Sequence, residues 1–248
     1  MVLDRLSVPK ASDVLATELR RQIFSGELTE GSMLPTEREL CTVSGLSRGS
    51  VRDALRVLEI DGLIETRPGR AGGSFIRRPD ASTFERSLNV LVGGQGISFT
   101  TLVEAREAIE PAAAALAAEH RNKTDLERLA GATRQMDAAI EDVSLFQELN
   151  VQWHLAVVEA THNEIMQAYV GSLWRVIALA TDVIDFHSPQ TLADTLEAHS
   201  RILAAIRQGN PKRAASAMSK HAHAYAEEVY RRNLIKGPTI QLPRSSTS

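Results

Sequence analysis

The chain has 248 residues, of which 43% are hydrophobic and 24% are charged, a balance that excludes a disordered or fibrous protein. Aromatic residues make up only 4%, and the second half is rich in alanine and leucine, which favours helix over sheet. The formal net charge is −3, so any affinity for nucleic acid must come from a local basic patch.

The sequence also limits the compartment. A single cysteine, Cys41, excludes an internal disulfide framework and any cysteine-based zinc motif, and it fits a reducing environment. The apolar runs are shorter than the roughly 18 residues that a membrane span needs. Met1–Lys10 lacks the apolar core of a signal peptide. We therefore expect a cytoplasmic protein with no membrane association.

The chain divides into two unlike parts. Most of its 15 glycines lie at or before Gly96, whereas all seven histidines come after residue 119. Pro79 and its polar neighbours are typical of a linker. We predict a first domain over residues 8–78, a linker over 79–83, a helical domain over 84–233, and a disordered tail, rich in proline, serine and threonine, over 234–248.

Two helices are expected early in the first part. An apolar stripe at helical spacing predicts the first helix, with Ser12 as its N-cap and Gly26 as its stop. Thr36 and Glu39 have the spacing of a capping box, so a second helix should begin there and end at Gly45. The stripe of the first helix consists of Val14, Leu15, Leu19 and Ile23.

A third helix and a hairpin complete the first part. Ser47 is placed to cap the third helix, and Gly62 is placed to end it. The apolar face of this helix consists of Val51, Ala54, Leu55 and Leu58. Two short apolar segments, 63–66 and 74–76, flank a turn-forming stretch and predict a two-stranded hairpin. Three helices and a hairpin make a winged helix-turn-helix.

The third helix carries the clearest functional signal. Arg48, Arg52 and Arg56 recur every four residues beside the apolar stripe, and arginine binds phosphate and guanine edges in a bidentate manner. The helix also begins with small polar residues that allow close approach to phosphates. Further contacts are expected from Arg38 in the preceding helix and from the hairpin tip, where Arg67 and Arg70 flank Gly69. The alternative is a solvated face with ion pairs such as Arg52–Asp53 and Arg56–Glu59.

These motifs resemble the GntR family of bacterial transcription regulators. The stretch 31–40 is similar to the family's entry to its second helix, and 47–56 is similar to its recognition helix. The resemblance covers about residues 10–78 and implies double-stranded DNA as a partner. By position it assigns DNA contact to Arg38, Ser47, Arg48, Ser50, Arg52 and Gly69. Pro68 replaces a histidine that some relatives have, so the wing departs from the pattern more than the helix does.

The second part reads as consecutive helices with breaks near residues 122, 143, 163, 188 and 209–211. Asn150 and His154 are four residues apart and therefore share one helix face, and His199 and His221 lie on two later helices. Three imidazoles and one side-chain oxygen would suit Zn²⁺, Ni²⁺ or Fe²⁺. The residues alone leave open that these are separate, hydrogen-bonded histidines.

Residues 83–233 resemble the FCD ligand-sensing domain of the FadR subfamily of GntR regulators. The resemblance implies an all-α bundle with a divalent metal, zinc first, held by Asn150, His154, His199 and His221. Many relatives carry aspartate at the position of Asn150, so a neutral amide should lower metal affinity and favour an anionic effector. Arg106 matches the position expected to bind an effector carboxylate. Its alternative role is a helix-surface ion pair with Glu110.

The favoured function is a DNA-binding transcriptional regulator, expected to be a repressor, whose binding is modulated by a small organic acid. Such modules act as homodimers on pseudo-palindromic operators. An enzyme is the main alternative, because a metal held by histidines can activate water. No glutamate accompanies the histidines in an HExxH arrangement, which disfavours hydrolysis. A purely structural helical scaffold leaves the arginine helix unexplained.

Overall fold

The computed structural model describes residues 9–69, 72–181 and 188–231. The chain splits into two compact units between Thr83 and Phe84. Arg70 and the tail over 234–248, which the sequence analysis named, lie outside the described residues, as does His187, one of the seven histidines. Among the described helices, none combines the length and the apolarity that crossing a bilayer would require.

Unit 1 contains three helices and one hairpin: α1 (Ala11–Ser25), α2 (Glu37–Ser44), α3 (Arg48–Ile60), β1 (Ile64–Arg67) and β2 (Gly73–Ile76). The strands pair antiparallel, with Ile64 opposite Ile76 and Arg67 opposite Gly73. Apolar side chains from α1, α3 and both strands form the core, including Leu19, Leu34, Ala54, Leu58, Leu63 and Ile76. The predicted winged helix-turn-helix is confirmed.

The helix boundaries of unit 1 follow local hydrogen-bonding signals. Thr36 and Glu39 form the predicted capping box, and the Ser47 hydroxyl caps α3. Gly26 adopts a left-handed conformation just after α1, with φ of 79°, which glycine tolerates without steric cost. The prediction for Ser12 is wrong, because α1 begins at Ala11 with Lys10 as its N-cap. Ser12 is buried within the first turn instead, and its position next to the core overrides its capping propensity.

Seven helices follow over the described residues: α4 (Ala81–Gln95), α5 (Phe99–His120), α6 (Lys123–Ala138), α7 (Val143–Glu159), α8 (Glu164–Thr181), α9 (Pro189–Arg207) and α10 (Pro211–Arg231). The first turn of α4 belongs to unit 1, and the rest of the helices form unit 2. The predicted breaks near 122, 143, 163, 188 and 209–211 agree with these bounds. α5 lies at the centre and contacts α7, α8, α9 and α10. The mainly helical fold class is confirmed.

Helix α4 differs from the expectation for this segment. Its first turn begins at Ala81, so three of the five residues expected as a linker are helical. Asp80 precedes it and accepts hydrogen bonds from the backbone and hydroxyl of Ser82. An aspartate just before a helix satisfies free N–H groups, and this local cap explains why the helix begins so soon after Pro79.

Candidate DNA-binding helix and candidate metal centre

Helix α3 presents its two faces differently. Val51, Ala54 and Leu58 are fully buried against the core of unit 1. Arg48 and Arg52 lie beside this buried stripe and are exposed. A helix with one face buried in this way is held in a fixed rotational orientation, so its arginines point into solvent.

The start of α3 is open to an anion. The Ser47 hydroxyl accepts a hydrogen bond from the backbone N–H of Ser50 at 3.2 Å, and the two hydroxyl oxygens lie 3.0 Å apart. Gly49 has no side chain to block approach between them. The first turn of a helix carries free N–H groups and a partial positive charge, which favour phosphate.

The arginines of this surface form fewer ion pairs than a salt-bridged face would. Arg52 donates from Nε to Oε1 of Glu37 at 3.1 Å, which is a contact between α3 and α2 rather than the expected pair with Asp53. Within the described residues, no carboxylate pairs with Arg38, Arg48 or Arg56. Cationic groups without a carboxylate partner are available to a polyanion.

The wing places Gly69 at an exposed tip. Its φ of 108° lies in the left-handed region, where a side chain would be strained. A Cβ on Gly72 would come within 2.3 Å of the Arg67 carbonyl oxygen, so this tight turn also requires glycine. Arg67 stacks over the ring of Phe75 and pairs with Glu65 at 3.0 Å. Glycine is therefore required at positions 69 and 72 by the local backbone geometry.

Three histidines from distant parts of the sequence converge inside unit 2. His154 lies on α7, His199 on α9 and His221 on α10. The Nε2 atom of His221 lies 3.4 Å from that of His199 and 3.3 Å from that of His154. One tetrahedral ion bound about 2.0–2.1 Å from each nitrogen requires nitrogens about 3.3–3.4 Å apart, which matches the two separations to His221. All three ligand nitrogens lie within 4.8 Å of one another.

Aromatic packing fixes the imidazole rings. Trp153 stacks on His199 with ring centroids 3.7 Å apart and an angle of 7° between the planes. His154 stacks on Trp174 at 4.1 Å. The Trp153 indole N–H donates to the Thr133 hydroxyl at 3.0 Å, which anchors the stack in turn. These contacts restrict the rotation of the His154 and His199 rings.

Burial keeps the histidines neutral. The loss of hydration lowers the pKa of His199 and of His221 well below 6.5, and the nearby positive charge of Arg106 contributes in the same direction. The pKa of His154 is also lowered, chiefly by burial, although the Glu110 carboxylate opposes the shift. A neutral imidazole has a free lone pair on one nitrogen, which metal coordination requires.

Asn150 has the properties expected of a fourth ligand. It lies one turn before His154 on α7, and its Oδ1 is buried with no hydrogen-bond donor among the described residues. A buried amide oxygen without a partner costs free energy, which binding to a cation would offset. The donor set of three imidazoles and one oxygen therefore fits a divalent metal.

Arg106 lies at the same cluster. Its Nη2 is 3.1 Å from Nε2 of His221 and 3.4 Å from Nε2 of His154, and its guanidinium covers the rings of Trp174 and Tyr225. Only 1% of its surface is exposed. This is an unusual environment for a cation and places a strong anion-binding group directly beside the imidazoles.

The Arg106–Glu110 ion pair exists, but it does not lie on the helix surface as the alternative reading of Arg106 supposed. The Nε–Oε2 distance is 2.9 Å, and both side chains are almost completely buried because α5 is surrounded by four helices. Burial alone would raise the pKa of Glu110, but Arg106 and His154 hold that pKa below its usual range. Sequence reasoning recognised Glu110 only as a surface partner, and it did not identify Trp174 or Tyr225 at all.

A groove of about 750 Å³ runs between α9 and α10 and reaches the cluster. His221 and Tyr225 lie at its base, and charged side chains of both signs line its walls. His221 is the least buried of the three histidines. Of the three histidines, His221 is therefore the one that the groove exposes to solvent.

His223 does not belong to the cluster. Its Nδ1 lies 2.9 Å from Oε1 of Glu107 at the surface, as expected for a residue two positions after His221 on a helix. His120 and His162 also bind elsewhere, to the Thr161 carbonyl and to Asp125 respectively. The described histidines thus separate into one buried triad and three outside it.

Comparison with known proteins agrees with this architecture. The family of bacterial regulatory proteins described as gntR matches residues 11–73, and the FCD domain matches residues 101–224. LutR, an HTH-type transcriptional regulator of Bacillus subtilis, is 31% identical over 80% of this chain and 92% of its own length. The galactonate operon transcriptional repressor of Escherichia coli is 30% identical over 79% of this chain and 86% of its own.

A solved structure shows the same fold. Streptococcus agalactiae GntR matches with a TM-score of 0.66 at 24% identity, covering 87% of this chain and 99% of that one. The families and relatives are transcription regulators rather than enzymes, so the hydrolase alternative is set aside. This chain belongs to the GntR family of bacterial transcription regulators and carries a C-terminal FCD domain, a combination consistent with the FadR subfamily.

Proposed function

We propose that the chain is a metal-dependent sensor of a small carboxylate, and that it acts as a repressor by binding a pseudo-palindromic operator as a homodimer. A bacterial DNA-binding regulator works in the cytoplasm, where the chromosome lies. The observation that carries the proposal is the convergence of three imidazole Nε2 atoms and the Arg106 guanidinium in one buried cluster.

DNA recognition is proposed to use the exposed face of α3, the start of α2 and the wing. Arg48 and Arg52 would contact base edges, while Ser47, Ser50 and Arg38 would bind the phosphate backbone. Gly69 would let the wing approach the adjacent minor groove. Support comes from the exposure of Arg38, Ser47, Arg48, Arg52 and Gly69, and from the burial of Val51, Ala54 and Leu58, which fixes the orientation of α3.

The ligand set proposed for the metal is Asn150, His154, His199 and His221, with Zn²⁺ as the first choice and Ni²⁺ or Fe²⁺ as alternatives. When bound, the metal would supply a Lewis-acidic position for a carboxylate oxygen. Arg106 would pair with the effector carboxylate through its Nη atoms. Glu110 neutralises the charge of Arg106, and the four proposed ligands are themselves neutral. The charge of a divalent ion is therefore not cancelled, and the site would favour an anion.

The name of one relative supports a hydroxylated carboxylate as the effector. The galactonate operon repressor is named for a sugar acid, whose carboxylate and adjacent hydroxyls suit a metal beside an arginine. The groove between α9 and α10 is large enough for a molecule of that size. A small hydroxylated carboxylate is therefore the proposed effector class for this chain. Its preferential binding to one arrangement of the dimer would change operator affinity.

Thermal denaturation of the metal-loaded and chelator-treated chain with a panel of small carboxylates tests this proposal. We expect at least one hydroxylated carboxylate to raise the midpoint temperature of unfolding, and to do so only in the metal-loaded protein. Arg106→Gln should abolish that increase while leaving metal content unchanged. The matched control Arg134→Gln, on the exposed surface of α6, should behave as the unmodified protein. Effector stabilisation that survives both metal removal and Arg106→Gln would contradict the proposal.

A further inference from the structure

Glu110 connects the two halves of the proposed sensor site. This side chain on α5 is 2% exposed, and its two carboxylate oxygens lie close to nitrogen atoms of three other side chains. Oε2 accepts a hydrogen bond from Nε of Arg106 at 2.9 Å. Oε1 accepts one from the indole N–H of Trp174 and lies 3.1 Å from Nδ1 of His154. One carboxylate thus contacts a proposed metal ligand and the proposed effector-binding cation.

The two nitrogens of His154 face different partners. Nε2 lies among the other cluster nitrogens, 3.3 Å from Nε2 of His221, whereas Nδ1 faces Glu110. A neutral imidazole carries its proton on one nitrogen and a lone pair on the other. A carboxylate beside Nδ1 favours the proton there, which leaves the lone pair on Nε2 for a metal.

The arrangement requires a carboxylate rather than an amide. All three neighbouring groups are donors: the Arg106 Nε–H, the Trp174 indole N–H and the Nδ1–H of the required His154 tautomer. An ionised carboxylate has about four acceptor sites and no proton, so it can accept from Arg106 and Trp174 and still present a lone pair toward Nδ1 of His154, 3.1 Å away. A glutamine of the same shape has one acceptor oxygen and would turn its NH₂ group toward at least one donor.

We propose that Glu110 is a positioning residue that sets the tautomer of His154 for metal binding and at the same time fixes the guanidinium of Arg106. This inference rests on the proposed metal site. Through this shared carboxylate, a change at the metal ligand alters the orientation of the arginine that receives the effector. Loss of such a partner behind a metal-binding histidine lowers metal affinity by about 10- to 100-fold.

The test compares the unmodified full-length chain with Glu110→Gln and Glu110→Asp. Each protein is stripped with a chelator and titrated with Co²⁺, and its visible d–d spectrum and dissociation constant are recorded. We expect Glu110→Gln to weaken Co²⁺ binding by about 10- to 100-fold. Glu110→Asp, which keeps the charge, should recover part of the loss. Circular dichroism establishes that each variant remains folded.

A second measurement does not depend on a variant of Glu110. In the chain labelled with ¹⁵N-histidine, the ring nitrogen shifts report which nitrogen carries the proton, and the His154 signals are identified by their absence in His154→Gln. We expect His154 to be protonated on Nδ1 in the metal-free chain and to bind Zn²⁺ through Nε2. Protonation on Nε2, or metal binding through Nδ1, would overturn the inference even if the Glu110 variants fail to fold.

The outcomes separate this inference from the proposed function. If the unmodified chain and Glu110→Gln bind Co²⁺ equally, Glu110 has no positioning role and the metal site stands. If the unmodified chain binds no Co²⁺, the metal site is wrong and the role of Glu110 falls with it. If binding weakens in Glu110→Gln and is partly restored in Glu110→Asp, both are supported.

Discussion

Arg52 on α3 and Glu37 on α2 are joined by a hydrogen-bonded ion pair, with Nε of the arginine 3.1 Å from Oε1 of the glutamate. The carboxylate accepts from Nε, and no hydrogen bond joins either Nη group to another described residue. The pair therefore orients the part of Arg52 that would bind a guanine edge. In a complex with DNA, the Glu37 carboxylate would repel phosphate groups. We therefore expect it to improve discrimination between DNA sequences and not to increase DNA affinity.

Glu37→Gln should accordingly reduce discrimination between sequences without weakening general DNA affinity. The pair is exposed and screened by salt, so we expect a loss of discrimination of only about two- to fivefold. The measurement is the ratio of dissociation constants for a duplex selected by the unmodified chain from a random pool and for a scrambled duplex. A ratio that stays constant, or rises, would contradict the orienting role.

Arg48→Ala and Arg52→Ala should each weaken binding to the selected duplex by about 5- to 150-fold, as expected for the loss of a base contact. Binding to the scrambled duplex should change much less. Gel-shift titration at fixed salt measures both affinities. Arg134→Ala on the exposed surface of α6 removes the same charge from the helical unit and serves as the control. Equal weakening on both duplexes would assign these arginines to the phosphate backbone instead.

Asn150→Asp should increase metal affinity. A carboxylate is a stronger ligand than an amide oxygen for a divalent cation and replaces the buried, unpartnered Oδ1 with a charged donor. We expect at least about a tenfold gain in Zn²⁺ affinity in a chelator competition assay. Asn163→Asp, at an exposed helix start where Oδ1 accepts the backbone N–H of Met166, is the matched control and should change nothing.

The same Asn150→Asp substitution should weaken effector binding. It lowers the net positive charge of the metal-loaded cluster by one unit, so a carboxylate is attracted less strongly. Comparing the two proteins at saturating Zn²⁺ separates this effect from metal occupancy. An effector affinity that rises in the variant would contradict the charge argument.

The metal-free chain should lose stability as the pH falls from about 7.5 to 5.5. Burial lowers the pKa of His154, His199 and His221 below the value of 6.5 that they regain on unfolding. The unfolded state therefore binds more protons once the pH drops below that value, which favours unfolding. Each such imidazole contributes up to about 1.4 kcal/mol per pH unit.

Urea unfolding monitored by circular dichroism across this pH range measures the effect. His199→Gln removes one of the buried titrating groups and should reduce the slope of stability against pH. His223→Gln, a change at the exposed surface of α10, serves as the comparison and should leave the acid-induced loss in place. A metal-free chain whose stability is flat between pH 7.5 and 5.5 would show that the triad is not buried in the neutral form.

Local signals in the sequence were sufficient to predict most of the elements. The capping box of Thr36 and Glu39, the Ser47 cap and the apolar face of α3 each act within one or two helical turns, so no distant contact is needed to interpret them. The same reasoning failed at Ser12, where burial against the core decided the helix start. It also did not foresee the early start of α4, which depends on the Asp80 cap.

The sequence by itself determined that helices carry His154, His199 and His221, and that arginines occupy one side of α3. Only the tertiary structure decided that the three imidazoles lie together. Helical periodicity fixes the direction of a side chain around the axis of its own helix, but it does not determine which other helix packs against that face. Glu110 shows the difference most clearly. Its spacing from Arg106 predicts an ion pair on any helix, but four surrounding helices bury that pair and bring it to His154.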